Sequence, residues 1–471
     1  MDSNAFRKQG HRLVDWVADY MEHVEDYPVR SSVAPGEIAA GLPASPPEEG
    51  EDWDDIIADF DEKIMPGITH WQHPMFMAYF PSVSSPPSVL AELLIAGLGV
   101  QGMLWETSPA ATELETRVMD WLRQALGLAE GFSGVIQDTA STATLCAVLS
   151  AREQATDGGG NRDGATAFAD LVVYASDHAH TSIDKAVRIA GIGDAGLAKV
   201  PLNDADAMDI SALETMIQKD KDAGKTPAMV IATLGATGAG GMDHIDKVAA
   251  ICRHHGLWLH VDGAWAGSAL ILPEQRGMAK GLDMADSFVM NPHKWLYTGM
   301  DCSAYFVRNP DALTRTFAIL PEYLKTGAGE SVINYRDWGV ALGRRFRALK
   351  LWFVLRSYGL EGLRAELRRH IALAGTLADR LAAEEDFEIL VPPRLALFVF
   401  RYRPAGVPEP DLDALNETLL SRLNDSGRIY LTRIRVRDSF AIRVSIGQAT
   451  VQDRHADAAF RLITETARLT E

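Results

Sequence analysis

From about residue 88 to residue 358 short apolar runs alternate with stretches of helical periodicity, and this alternation constrains the fold more than any other feature. Strands are expected over 170–174, 228–234, 258–262, 287–290 and 304–307, and helices over 112–126, 142–152 and 246–255. Strand–helix alternation predicts an α/β domain with a central, mostly parallel sheet flanked by helices on both faces. Sheets of this kind bind ligands beyond the carboxyl ends of their strands. Asp262, Lys294 and His180 fall there.

A chain of 471 residues is too long for one small core, so several domains are expected. The pattern divides it into an N-terminal helical segment (1–87), a large α/β domain (88–360) and a small C-terminal α+β domain (361–471). In the first, Phe6, Leu13, Val14, Val17 and Met21 recur at helical spacing, and 53–65 reads as a second amphipathic helix. Two such helices lack a core of their own and are expected to pack on another domain or a second subunit. The connection 43–49 is rich in proline and acid. In the last domain a helix is expected over 363–381 and strands over 396–402 and 439–444, while the glycine run 157–161 reads as the clearest flexible surface loop.

A net charge of -19 argues against nucleic-acid and anionic-membrane partners. Three widely spaced cysteines, Cys146, Cys252 and Cys302, fit a reducing compartment without a disulfide framework. The N-terminus has no signal-peptide core, and no run approaches 18 apolar residues. A cytoplasmic protein is expected.

Lys294 lies in Asn291-Pro292-His293-Lys294-Trp295, directly after an apolar run, and Asp262 ends the run Leu257–Val261. A lysine amine at the mouth of a sheet can form a Schiff base with an aldehyde. An acidic residue at the end of a nearby strand is what a pyridinium nitrogen needs. Together they suggest a pyridoxal phosphate (PLP) enzyme. Thr139, Ala140 and Ser141 open a helix and could cradle a phosphate there, although plain N-capping explains the same residues. His178-Ala179-His180 could be half of a metal site or could lay one imidazole on an aromatic cofactor. With no third ligand evident and no H-E-x-x-H, no metal is expected. The glycine-rich stretch 233–241 lacks a Walker lysine and does not match a nucleotide motif; it could bring a hydroxyl near a cofactor or be only a turn. The aromatic density over 70–81 suits either an apolar wall or ordinary core.

These residues converge on one family. The chain closely resembles the group II pyridoxal-phosphate-dependent decarboxylases of the aromatic-L-amino-acid decarboxylase type, nearly end to end. The resemblance rests on Met65-Pro66-Gly67, Ala78-Tyr79-Phe80-Pro81, residues 108–115, Gly134-Val135-Ile136-Gln137, His260-Val261-Asp262, residues 291–296 and Gly343-Arg344-Arg345-Phe346-Arg347. It implies a fold-type-I PLP-dependent homodimer with active sites at the subunit interface. It assigns Lys294 to the Schiff base with the cofactor, Asp262 to the pyridinium nitrogen and His180 to stacking on the ring. Thr139, Ala140, Ser141, Asn291 and His293 would line the phosphate side, with Thr237 and Asp243 near the ring. Tyr323, in Pro321-Glu322-Tyr323-Leu324, matches the family's loop tyrosine, the proton donor after loss of CO2. Relatives with phenylalanine there tend to be oxidative aldehyde synthases, so Tyr323 and His180 imply plain decarboxylation.

Trp71, Tyr79, Phe80, Pro81 and Ser82 match the wall that binds the substrate ring. Gln101 and Met103 stand where some relatives carry apolar or aromatic residues, and Gly343 where some plant relatives use serine to favour phenolic rings. No extra cationic residue occurs among these positions, which sets the chain apart from glutamate decarboxylases. The expected substrate is tryptophan, tyrosine, DOPA or phenylalanine. The alternatives are an oxidative acetaldehyde synthase and a non-catalytic PLP-binding protein.

Overall fold

The alternating segment forms a seven-stranded sheet in the computed structural model, which describes residues 1–319 and 332–470. Its strands are β1 (Ser133–Gln137), β2 (Leu171–Ser176), β3 (Leu197–Val200), β4 (Thr226–Thr233), β5 (Trp258–Asp262), β6 (Ser287–Met290) and β7 (Ser303–Val307), in the order β1-β7-β6-β5-β4-β2-β3. Strands β3, β2, β4, β5 and β6 are parallel neighbours. Strand β7 runs antiparallel to both β6 and β1. Thus β1 points the same way as β6, and the carboxyl ends of β1, β2, β4, β5 and β6 emerge along one edge.

The expected strands at 258–262 and 287–290 match to the residue, and the others shift by one or two at their ends. Strands β1 and β3 were not anticipated. Strand β1 contains Gly134, an unpromising residue in a strand, but a Cβ there would lie 2.5 Å from Met119 of the helix Pro109–Leu126. Close approach of that helix requires the glycine. Pro227, near the start of β4, has no N–H for the ladder, and the β2–β4 register slips there between Val172 and Val173.

One sheet face, carrying Val135, Ile231, Trp258, Val289 and Tyr305, packs on Ala143, Cys146 and Ala147 of the helix Ala140–Ala155 and on Ile183 and Val187 of Ser182–Ile189. Each large apolar side chain removed from water there contributes about 1.5–3 kcal/mol. The expected flexible loop at 157–161 is corrected. Gly159–Asp163 is a helical turn whose Gly159 and Gly160 are buried. Glu153 Oε2 accepts the Asn161 N–H at 2.9 Å, and Thr156 Oγ1 accepts that of Gly160 at 3.0 Å. Gly160 there makes room for the Glu153 side chain.

The chain divides into two units, residues 82–369 and residues 1–81 with 370–471. The second contains a four-stranded antiparallel sheet, ordered β10 (Thr432–Val436), β11 (Ser439–Ser445), β9 (Leu397–Tyr402) and β8 (Phe387–Arg394). Residues 75–77 join this unit through main-chain bonds: Met77 N–H to Tyr430 O at 3.0 Å, Tyr430 N–H to Met75 O at 3.2 Å and Ser445 N–H to Met77 O at 2.9 Å. The N-terminal residues therefore share a unit with the C-terminal ones. The helix Ser3–His23 buries none of its residues, and Phe6, Leu13 and Val14 are exposed. The expected helix at 53–65 breaks into Trp53–Asp59, a π-helical turn Phe60–Ile64 and a 3-10 turn Met65–Gly67. The helix expected at 363–381 is the end of a longer one, Ala348–Ala382, interrupted at Gly359 where φ is 64°.

Candidate active site

Strand register sets the centre of the site. Asp262 ends β5 opposite Thr233 of β4 and Val289 of β6. It is 6% exposed, and its Oδ1 accepts the Ala264 N–H at 3.0 Å. Among the described residues its other carboxylate oxygen accepts no hydrogen bond. One strand over, the turn Pro292–Trp295 follows β6. The Lys294 N–H donates to Asn291 O at 3.0 Å, and Trp295 is fully buried against Trp265, with ring centroids 5.4 Å apart. That buried indole fixes the turn, so the half-buried Lys294 is presented at the strand's end.

His180 follows β2. Its Nδ1 accepts the Ser182 N–H at 3.1 Å and lies 2.8 Å from Ser182 Oγ. A main-chain N–H can only donate, so in the neutral ring the proton sits on Nε2. Burial of part of the ring holds the imidazole below its ordinary range; Asp262 opposes that shift and the Lys294 ammonium reinforces it. Three groups from three strand ends thus act on one another at the carboxyl edge.

The phosphate-side candidates share a neighbouring stretch of edge. Thr139 is the N-cap of Ala140–Ala155, but its side chain does not cap the helix. Its hydroxyl is 3.4 Å from Asp138 Oδ1 instead. The N–H groups of Ala140, Ser141 and Thr142 have no intrahelical acceptor and carry the positive end of the helix dipole. Gln137, ending β1, is the register partner of Ser303, whose hydroxyl donates to Asn291 Oδ1 at 2.6 Å. That bond leaves the Asn291 amide nitrogen without a partner among the described residues. His293 Nδ1 accepts the Cys302 N–H at 3.0 Å, and burial lowers its pKa to about 4. The ring is neutral with its proton on Nε2. Open N–H donors, an open amide and a carboxylate oxygen without a partner suit a phosphorylated pyridine.

Asp243 has a different occupation. Its Oδ1 accepts the Met208 N–H and its Oδ2 the Thr233 N–H, both at 2.7 Å, and its own N–H donates to Thr233 O at 2.9 Å. Burial raises its pKa despite these bonds. Asp243 therefore braces a tight turn in which Gly235 (φ +85°) lies against Ala266 and Thr237 is exposed.

Within the unit of residues 1–81 and 370–471, Trp71 stacks on Tyr79 with centroids 5.7 Å apart and lies 4.4 Å from the ring of Phe76. The Arg443 guanidinium lies 4.7 Å over the Phe80 ring and donates to Tyr79 O. Within residues 82–369, Gln101 Oε1 accepts the Arg344 N–H at 2.7 Å, and a Cβ on Gly343 would meet Gln101 Nε2 at 3.5 Å, an ordinary contact. Met103 O accepts the Arg336 N–H at 3.0 Å. Ser82 opens this unit and Pro81 closes the first segment of the other. Tyr323 lies outside the described residues.

Sequence reading missed Ser303 and the Cys302 N–H, and took Thr233 only as the start of a glycine-rich turn. Their only signal was position at a strand end beside residues already singled out. Away from this edge, Glu214, His254 and His255 bring ligand-type atoms within 4.8 Å of one another. Both His255 ring nitrogens are already engaged, with Glu214 and with Lys221, each at 2.8 Å.

Comparison with known proteins bears on these observations. Residues 35–403 match the family described as the pyridoxal-dependent decarboxylase conserved domain. The chain is 42% identical to the aromatic-L-amino-acid decarboxylase of Mus musculus, over 99% of this chain and 98% of that one. It is 40% identical to the phenylacetaldehyde synthase of Arabidopsis thaliana, over 99% and 96%. The crystal structure of Oryza sativa TDC with PLP and tryptamine superposes with a TM-score of 0.97 at 36% identity, covering 100% of this chain and 99% of that one.

Proposed function

We propose that this chain, which belongs to the pyridoxal-dependent decarboxylase family, converts an aromatic L-amino acid to its amine and CO2. It is a PLP-dependent carboxy-lyase of the aromatic-L-amino-acid decarboxylase type. Tryptophan, tyrosine, DOPA and phenylalanine are the proposed substrates.

The observation that carries this reading is the meeting of Asp262, His180 and Lys294 at the carboxyl edge, with one Asp262 oxygen unoccupied. The Lys294 amine would hold the cofactor covalently, and Asn291, His293 and the N–H groups of 140–142 would hold its phosphate. When bound, PLP supplies an electron sink for the pair left by the departing carboxylate. Asp262 keeps a proton on the ring nitrogen by offering it an anionic acceptor in a buried setting, where a charge-assisted bond is strong. His180, neutral and fixed through Nδ1, would stack on the cofactor ring, with its Nε2–H left to donate. Tyr323 returns a proton to the substrate's α-carbon, and that delivery makes the product an amine. Trp71, Tyr79 and Phe80 receive the substrate ring, and Gln101, Met103 and Gly343 shape its selectivity. A cytoplasmic homodimer completes the proposal. No helix among the described residues is long and apolar enough to cross a membrane.

The second reading, an oxidative acetaldehyde synthase, is kept in view by the similarity to the Arabidopsis thaliana phenylacetaldehyde synthase. Tyr323 favours decarboxylation. Borohydride reduction of the PLP-loaded protein followed by peptide mapping tests the site. A pyridoxyl group on Lys294 supports it; modification of another lysine, or of none, overturns it.

A further inference from the structure

The carboxyl edge of the large sheet holds one more polar group with nothing to bond to. Thr233 ends β4, is 5% exposed, and its hydroxyl makes no hydrogen bond among the described residues. Burying a hydroxyl this way costs about 1–3 kcal/mol. Other buried hydroxyls, among them those of Thr144 and Ser150 in the helix Ala140–Ala155 and of Thr432 and Ser445 in the smaller sheet, are also without partners, so position beside Asp262 is what sets Thr233 apart.

Thr233 is, moreover, held with care. Asp243 accepts its N–H and donates to its C=O, so both of its main-chain groups are clamped by one buried residue. Parallel register places it opposite Asp262. Paired residues of adjacent strands project from the same face, with the strands about 4.8 Å apart, a gap that a hydroxyl and a carboxylate can bridge. Asp262 has the complementary deficit, an oxygen that accepts nothing. Its register neighbour on the other side is Val289, which offers no donor. His260, two residues back on the same strand, is turned through Nδ1 to Ser287 Oγ at 2.9 Å.

We propose that Thr233 is a positioning residue whose hydroxyl donates to the Asp262 carboxylate and fixes the orientation in which it meets the ring nitrogen of bound PLP. The inference rests on the proposed decarboxylase site. It gives Asp243 a definite task, to hold Thr233 in place, and explains why a buried carboxylate is spent entirely on main-chain donors.

Thr233→Val keeps the shape of the side chain and removes the hydroxyl, whereas Thr233→Ser keeps the hydroxyl. The full-length chain is stripped of cofactor, its melting temperature is measured, and PLP is titrated back while the pH dependence of the visible absorbance band is followed. In Thr233→Val the stripped protein melts at or above the wild-type temperature, PLP binds roughly tenfold more weakly, as for loss of one hydrogen bond to a charged group, and the midpoint of the band's pH dependence moves. Thr233→Ser restores both affinity and midpoint. Wild-type affinity and midpoint in Thr233→Val overturn the proposal. So does a drop in stripped-protein stability that Thr233→Ser fails to reverse. Failure of the wild-type chain to bind PLP overturns the site itself, and this proposal with it.

Discussion

The carboxyl edge of the seven-stranded sheet and the aromatic segment at 70–81 of the other unit are held in different ways. At the edge, the proposed site side chains are fixed by hydrogen bonds, three from main-chain N–H groups and one from a hydroxyl. Ala264 N–H fixes Asp262, Ser182 N–H fixes His180, Cys302 N–H fixes His293, and Ser303 Oγ fixes Asn291. In the aromatic segment, rings hold rings: Trp71, Phe76 and Tyr79 all touch one another, and both Trp71 and Tyr79 are exposed. Strand register dictates the first arrangement, so it tolerates little variation. The second is side-chain packing and can be remodelled without disturbing a strand. On the proposed function, reaction chemistry falls to the edge and ring preference to the packed aromatic residues.

Changes at the edge provide the strongest ways to break this contrast. Lys294→Ala should abolish turnover and borohydride labelling while leaving the melting temperature of the stripped protein nearly unchanged; measurable turnover would break the assignment. Tyr323→Phe should slow amine formation by roughly 10²–10⁴-fold, the usual worth of a positioned proton donor, and divert product to aldehyde. Separate amine, aldehyde and peroxide assays read this, and unchanged amine output without aldehyde would contradict it. Asp262→Ala should lower kcat by roughly 10²–10³-fold, as removal of a preorganised electrostatic partner does, and a kinetic titration measures it.

Acid sharpens the comparison because buried neutral histidines occur in both regions. His260 and His293 near the edge and His73 in the aromatic segment all have pKa values lowered to about 4, in each case first by burial. An unfolded histidine titrates near 6.5. Between that value and about 4 the unfolded chain binds the protons, so stability is fully present above pH 6.5 and falls as pH drops towards 4. Urea unfolding at a series of pH values should show a loss on the order of a few kcal/mol across that window. Replacement of His73 alone should flatten part of it. The smallest effect is expected from Trp71→Ala, which should raise KM by a few-fold to about tenfold, the worth of an aromatic pair, with a lesser change in kcat. A fall in kcat equal to that of Asp262→Ala would erase the distinction between the regions.

The same contrast governs what could be read from the chain. Strands β5 and β6 were legible to the residue because their mostly apolar runs stop at Asp262 and just before Asn291. Asp262 and Lys294 were singled out by position at those ends, and His180 by position after β2. Strand β1 was hidden because Gly134 answers to a helix distant in sequence rather than to strand propensity. Glycines 159 and 160 read as a loop, yet they are buried beside Glu153, again a contact that local pattern cannot register. The part played by Asp243 was invisible for a similar reason. Its partners are the main-chain groups of Met208 and Thr233, and a main-chain donor leaves no trace in composition.

The central claim is that this edge removes the carboxylate of an aromatic amino acid and releases an amine. Its most direct test is incubation of the PLP-loaded protein with tryptophan, tyrosine, DOPA and phenylalanine, each with glutamate as control, and separate measurement of amine, CO2 and peroxide. Amine and CO2 in equal amounts from at least one aromatic substrate, with no peroxide and no turnover of glutamate, is the predicted result. Aldehyde with peroxide, or turnover of glutamate alone, would contradict it.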